Sequence, residues 1–218
     1  PLTNEYRSLK GHVYDYIVDL IDGGALADDH KISEQQICEA LGVSRTPVRE
    51  ALIQLASDGY LENVPRKGFY VKSVTEDSAR EIVEVIGPLD GRAALLAVDR
   101  MTDEDLAQLQ FLHGSMELAI EKRLYKKYDD LQRDFHACYM EKCGNARLVE
   151  LIRQLNRCFM KREYARVVES DLDGLLRQAN DEHAEIVRLF ESRDGARLQR
   201  YIRDVHWSDD NAKFLVWQ

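Results

Sequence analysis

The chain has 218 residues, 44% hydrophobic and 32% charged, enough for two domains of about 70 and 140 residues with real cores. No run of about 18 apolar residues occurs, which argues against a membrane span, and no charged-then-apolar leader opens the chain, so a cytoplasmic protein is expected. A net charge of −9 predicts weak non-specific binding to nucleic acid, although a local basic patch on an acidic protein suffices to contact DNA. Cys38, Cys138, Cys143 and Cys158 show neither CxxC spacing nor disulfide density and read as reduced, buried thiols.

Residues 1–30 carry one amphipathic helix, with Leu9, Val13, Ile17, Leu20 and Ile21 at three- and four-residue steps, ended by Gly23-Gly24. Ser33 reads as the N-cap of a short helix through Ile37, Ala40 and Leu41 that Gly42 stops. A second short helix opens near Ser44 and runs to Asp58-Gly59. Pro47 falls in its first turn, where a missing N–H costs nothing. Tyr60–Val64 and Phe69–Val71, joined by Pro65-Arg66-Lys67-Gly68, read as a β-hairpin.

From about Thr75 the pattern is helical throughout. Ile82, Ile86, Leu89, Ala93 and Leu96 mark one segment. Leu106, Leu109, Met116 and Ile120 mark the next, opened by the capping run Thr102–Asp105. Tyr125–Cys143, Leu148–Val168, Asp171–Glu191 and Asp194 to about Phe214 follow. Short connections between helices of this length predict an antiparallel bundle. The fold expected is therefore mainly α: a winged helix-turn-helix of three helices and a β-hairpin over residues 1–75, then an all-α antiparallel bundle over 76–218.

Short helix, glycine turn, second helix and hairpin is the layout of a DNA-reading winged helix. On the second helix Val48, Ala51, Leu52 and Leu55 form an apolar stripe, while Arg45, Thr46 and Arg49 fall on another with the two arginines one turn apart. Guanidinium forks at that spacing reach guanine edges or phosphates in the major groove. Ser44 and Thr46 add hydroxyls at a helix N-terminus that favours phosphate. Arg66 and Lys67 beside Gly68 suit the minor groove or phosphates. Residues 32–71 resemble the DNA-binding domain of the GntR family of regulators, through Glu34, the run from Leu41 to Leu52, Leu55 and Gly59. The resemblance implies that Arg45 and Arg49 read bases, that Ser44, Thr46 and Gln35 support phosphate or base contacts, and that Arg66, Lys67 and Gly68 probe the minor groove.

The helical part is similar to the FCD ligand domain of the FadR-like branch of that family over about residues 76–215, through Phe135-His136, Gly144-Asn145, Glu182-His183 with Ile186-Val187, and Asp194. Many such domains place an aspartate and three histidines around a divalent metal of zinc or nickel type, which helps hold a small carboxylate effector. By that resemblance the aspartate position is Gln132, an arginine position is Ile86, and the last histidine position is Val205, with His206 one residue off and expected to miss the pocket by about 100°. The expected pocket is Ile86, Gln132, His136, Tyr139, His183 and Val205, with His136 and His183 the remaining metal ligands. Two readings of this pair stand open. One makes them hydrogen-bonded pocket histidines; the other makes them ligands completed by water, Asp130, Asp134 or a shifted His206. The missing acid and arginine predict an effector less anionic, or more apolar, than a typical hydroxy acid.

The resemblance further implies a homodimer on pseudo-palindromic double-stranded DNA, with a small-molecule metabolite effector shifting it between two geometries. A regulator whose effector site has decayed is one alternative. A helical metalloenzyme fused to a DNA-binding module is another, but the chain has no GxSxG, HExxH, P-loop or CxxC, and no enzyme is expected.

Overall fold

A computed structural model of the chain describes residues 8–73, 75–157 and 169–208. Cys158, the end of the helix predicted over 148–168 and the end of the last predicted helix lie outside the described residues. Two compact units divide the chain, one built mainly from residues 1–74 and the other from 75–155 with 164–218.

The first unit runs α1 (Leu9–Asp22), α2 (Glu34–Leu41), α3 (Arg45–Ser57), β1 (Leu61–Val64) and β2 (Gly68–Val71). Side chains of Ser8 and Ser33 cap α1 and α2 by accepting from Gly11 N and Gln36 N. Gly42 ends α2 in the left-handed region at φ 64°, which a glycine adopts without a Cβ penalty. The antiparallel hairpin pairs Leu61 with Val71 and Val64 with Gly68. Val13, Ile17, Val48, Ala51, Leu52 and Leu55 are fully buried together, with Leu61 and Val71 closing the core from the hairpin. Each large side chain there contributes roughly 1.5–3 kcal/mol by leaving water. Leu9, expected on the apolar face of α1, is 62% exposed because it is the first residue of the helix and reaches past that core.

The second unit holds α4 (Glu76–Ala97), α5 (Asp103–Glu121), α6 (Tyr125–Met140), α7 (Ala146–Arg157), α8 (Glu169–Glu191) and α9 (Gly195–Tyr201), the last passing directly into a π-helical turn, Ile202–His206. The all-helical unit behind a winged helix matches the expected fold class. Thr102 and Asp105 form the anticipated capping box at the start of α5. Among the described residues no helix is long and apolar enough to cross a membrane.

The buried face of α4 keeps Ile86 and Ala93 of the expected stripe but is otherwise displaced from it. It runs Val83, Gly87, Asp90, Ala94, Ala97 at four- and three-residue steps, whereas Ile82, Leu89 and Leu96 are only half-buried. The reason is the neighbour. Gly87 and Gly91 make a groove into which α9 and the π-helical turn settle, so that a Cβ on Gly91 would stand 2.7 Å from the Gln199 carbonyl oxygen. Gly91→Ala must therefore push α9 off α4. We expect a loss of about 1–3 kcal/mol, the usual range for overpacking a core, read as a lower midpoint in thermal or urea unfolding. An unchanged midpoint would contradict the close contact.

Candidate functional site

In the first unit the N-terminal turn of α3 carries the cations. Arg45, Thr46 and Arg49 are exposed, while Val48, Ala51, Leu52 and Leu55 of the same helix point into the core. Burial of one face thus fixes which side chains the other face offers. Arg49 leans on Glu34 of α2, with 3.6 Å between its Nε and the Glu34 Oε1. Ser44, the N-cap residue, makes no side-chain cap bond. Gln35 is turned to Glu39, donating from Nε2 at 2.9 Å. At the hairpin tip, Lys67 N donates to Val64 O at 3.0 Å. Pro65 and Arg66 occupy the centre of that turn, and Arg66 sits at φ 68°. Proline first and a left-handed residue second is a type II turn, which ordinarily takes glycine or asparagine second. Arg66, Lys67 and the hairpin end of Gly68 all lie at this tip, with both cations exposed.

In the second unit three imidazoles converge. His136 of α6 lies with its Nε2 3.4 Å from Nε2 of His183 on α8 and 3.3 Å from Nε2 of His206 at the end of the π-helical turn. One ligand nitrogen from each ring lies within 4.8 Å of the others, and all three residues are buried. This corrects two expectations. His206 does not miss the site; it completes it. Val205, expected to line the pocket, is 41% exposed. The helix departs from α geometry here: Trp207 N donates to Ile202 O, five residues back, at 3.0 Å. A π turn absorbs one more residue than an α turn, so the 100° offset that would have turned His206 away is taken up inside the turn. The candidate set is accordingly three histidines rather than two.

Each of two rings is held from behind by a buried carboxylate. Asp90 of α4, 1% exposed, receives the His136 Nδ1 at 3.1 Å, the Tyr139 hydroxyl at 2.8 Å and the Trp207 Nε1–H at 2.8 Å. Burial pushes the Asp90 carboxyl up, but His136, Trp207 and Tyr139 together outweigh it and hold it below the ordinary carboxylate range. Burial and the Asp90 charge push Tyr139 well above its ordinary value, so it keeps its proton and donates. The His136 Nδ1 also lies 2.6 Å from the Tyr139 hydroxyl, and a proton on Nδ1 shared with Asp90 is the arrangement that would leave Nε2 as a lone pair. Glu182 of α8 accepts in the same way from His206 Nδ1 at 2.9 Å. Burial, then His206 and His136, push His183 well below the usual imidazole value, and burial lowers His206 against the Glu182 hydrogen bond that raises it. The cluster thus turns one ring nitrogen of each imidazole toward the others, with His136 and His206 backed by a buried acid.

The remaining expected residues take other places. Ile86 is fully buried and Tyr139 joins the Asp90 network, while Gln132 is half-buried and outside the cluster. Neither acid considered as a completing ligand belongs to it: Asp130 pairs with Arg133 at the surface and Asp134 is exposed. Asp90, Glu182 and Trp207 were not anticipated. Asp90 had a signal in sequence, since it continues the four- and three-residue stripe of α4 that glycine and alanine outline.

Comparison with known proteins agrees with both units. Residues 9–71 match the bacterial regulatory proteins of the gntR family, and residues 81–206 match the FCD domain. The HTH-type transcriptional regulator McbR of Escherichia coli is 34% identical over 132 residues, 61% of this chain and 60% of McbR. The HTH-type regulator YdhC of Bacillus subtilis is 30% identical over 148 residues, 66% of this chain and 64% of YdhC. The matched stretches thus span about three fifths of these relatives' own lengths. The solved structure of E. coli McbR/YncC is similar with a TM-score of 0.76 and 26% identity, covering 95% of this chain and 97% of that one. With a winged helix, a helical domain built around buried histidines and these matches to each part, the chain belongs to the gntR family of bacterial regulatory proteins and carries an FCD domain.

Proposed function

We propose that the chain is a DNA-binding transcription regulator in which a divalent metal at His136, His183 and His206 anchors a small-molecule effector that sets operator affinity. The observation that carries the sensing half is the convergence of three imidazoles, with Nε2 of His136 3.4 Å from that of His183 and 3.3 Å from that of His206, and one ligand nitrogen of each ring within 4.8 Å of the others. Lone pairs so close repel unless a proton or a metal ion sits between them, and two nitrogens bound to one tetrahedral zinc ion stand about 3.3 Å apart. Charge supports the same reading. Asp90 and Glu182 set buried acidic groups behind two of the three imidazoles, a surrounding that suits a divalent ion. Imidazole ligands favour zinc, nickel or a similar ion over magnesium or calcium. When bound, the metal supplies a Lewis-acid anchor for an effector oxygen. The residues of the chain do the rest: Asp90 and Glu182 orient two of the rings, and the aromatic walls of Phe135 and Trp207 keep water out. With Gln132 and Ile86 in place of an acid and an arginine, an effector less anionic than a typical hydroxy acid remains the expectation. A complete set of buried histidines disfavours a decayed site.

For the DNA half, Arg45 and Arg49 read bases, Ser44, Thr46 and Gln35 support backbone or base contacts, and Arg66, Lys67 and Gly68 enter the minor groove. A homodimer on a pseudo-palindromic operator follows from two-fold symmetry. Selecting bound duplexes from a random pool and measuring the metal content of the purified protein test both halves. The expected results are an inverted repeat and about one zinc- or nickel-type ion per chain. Recovery of no preferred sequence, or of no metal after incubation with zinc, would remove the corresponding half.

The hairpin tip offers a separate test. An L-residue in the left-handed region costs roughly 1–2 kcal/mol, so Arg66 is held there at the expense of stability. Arg66→Gly should raise the unfolding free energy by about 1 kcal/mol, yet weaken DNA binding and reduce its log–log salt slope by about 1. Loss of stability together with unchanged DNA affinity would show that Arg66 serves the fold.

A further inference from the structure

Two of the three imidazoles have a buried partner for Nδ1: Asp90 for His136 and Glu182 for His206. His183 lacks one. Its Nδ1 is sealed from solvent and makes no hydrogen bond among the described residues, although its Nε2 faces His136. A second buried polar atom is in the same condition, the side-chain oxygen of Asn180, a residue only 5% exposed. Both belong to α8, three residues apart, where side chains are neighbours on one face of a helix. Their needs are opposite. With Nε2 turned to the cluster, His183 Nδ1 carries a proton and seeks an acceptor, while Asn180 Oδ1 is an acceptor without a donor. Buried polar atoms are rarely left unmatched, and residues three apart on a helix lie on one face, where an acceptor and a donor can pair.

We propose that Asn180 is the positioning residue of His183: its side-chain oxygen takes the Nδ1 proton and so fixes the tautomer that presents the Nε2 lone pair to His136 and His206. Each ring of the cluster then has its own partner on the side away from the centre, two carboxylates and one amide.

The metal-binding arm of the test rests on the metal reading above; the tautomer arm does not. In metal-free protein, two-bond proton–nitrogen NMR spectra of the imidazoles report which nitrogen of His183 is protonated. The wild type and Asn180→Asp should hold it on Nδ1, and Asn180→Leu should release it to a mixture or to Nε2. In zinc titrations against a chromophoric chelator, Asn180→Leu should weaken affinity roughly 10- to 100-fold, the usual effect of losing such a partner, with Asn180→Asp keeping wild-type affinity or exceeding it. A packing role alone would make Asp at least as harmful as Leu, and that ranking overturns the proposal. So does a Leu variant with wild-type tautomer and affinity. If wild type takes up no zinc, the metal reading falls and the tautomer of His183 alone decides the role of Asn180.

Discussion

Replacing Arg45 and Arg49 together by alanine is expected to abolish specific operator binding at physiological salt while leaving the DNA-reading unit folded. The two halves of that expectation rest on different faces of α3. Arg45 and Arg49 are exposed, and alanine is the better helix former, so the core under Val48, Ala51, Leu52 and Leu55 is untouched. Within the protein, alanine at position 49 removes the 3.6 Å approach of Arg49 to Glu34, a solvent-exposed pair worth at most about 1 kcal/mol. On DNA, each arginine in a bidentate base contact is worth about 1–3 kcal/mol. Together they account for about 2–6 kcal/mol, or roughly 30- to 10,000-fold in affinity. Fluorescence anisotropy with the selected operator and a scrambled duplex measures both the loss and its specificity. Equal affinity of the double variant and the wild type for the operator would refute the assignment. A uniform loss on both duplexes, with the salt slope reduced by about 2, would instead make the two arginines phosphate contacts.

Much of the first unit was legible in sequence because its signals are local. A serine before each short helix, a glycine after α2, a proline in the first turn of α3 and a Pro-to-Gly hairpin each act within a few residues of where they stand. The second unit was legible as helices but less so as a site. The apolar stripe of α4 was displaced in sequence reading because Gly87, Asp90 and Gly91 are not apolar residues, yet they form its buried face. What places them there is α9 and the turn after it, roughly 100 residues further on along the chain, and no local pattern carries that information. Asp90 is buried because His136, Tyr139 and Trp207 arrive to satisfy it, a condition met only in the folded unit. Reading His206 as misdirected had a similar origin. A rotation of about 100° per residue holds for an α-helix, and the chain leaves α geometry at that point.

That departure leads to the other large effect expected. His206→Ala removes one of the three proposed ligands and takes the imidazole partner from Glu182, and it should lower zinc affinity about 100-fold or more, beyond the loss usual for an outer partner. Because a metal that binds only the folded state stabilises it by mass action, the same change should abolish the rise in melting temperature that zinc produces in the wild type. Deleting Val205 should do neither. Val205 is 41% exposed, and Trp207 is bonded to Ile202 five residues back. With one residue fewer, the same bond closes over four residues, the π turn becomes an α turn, and the histidine and tryptophan that follow keep their direction toward His136 and Asp90. A one-residue deletion inside a helix otherwise rotates everything after it by about 100°, which would take the histidine out of the site as surely as alanine does. The expected ranking in zinc affinity is therefore wild type close to the Val205 deletion, both far above His206→Ala. A deletion variant as weak as His206→Ala would show that the extra residue is required for the geometry of the three rings, and that the π turn does more than absorb it.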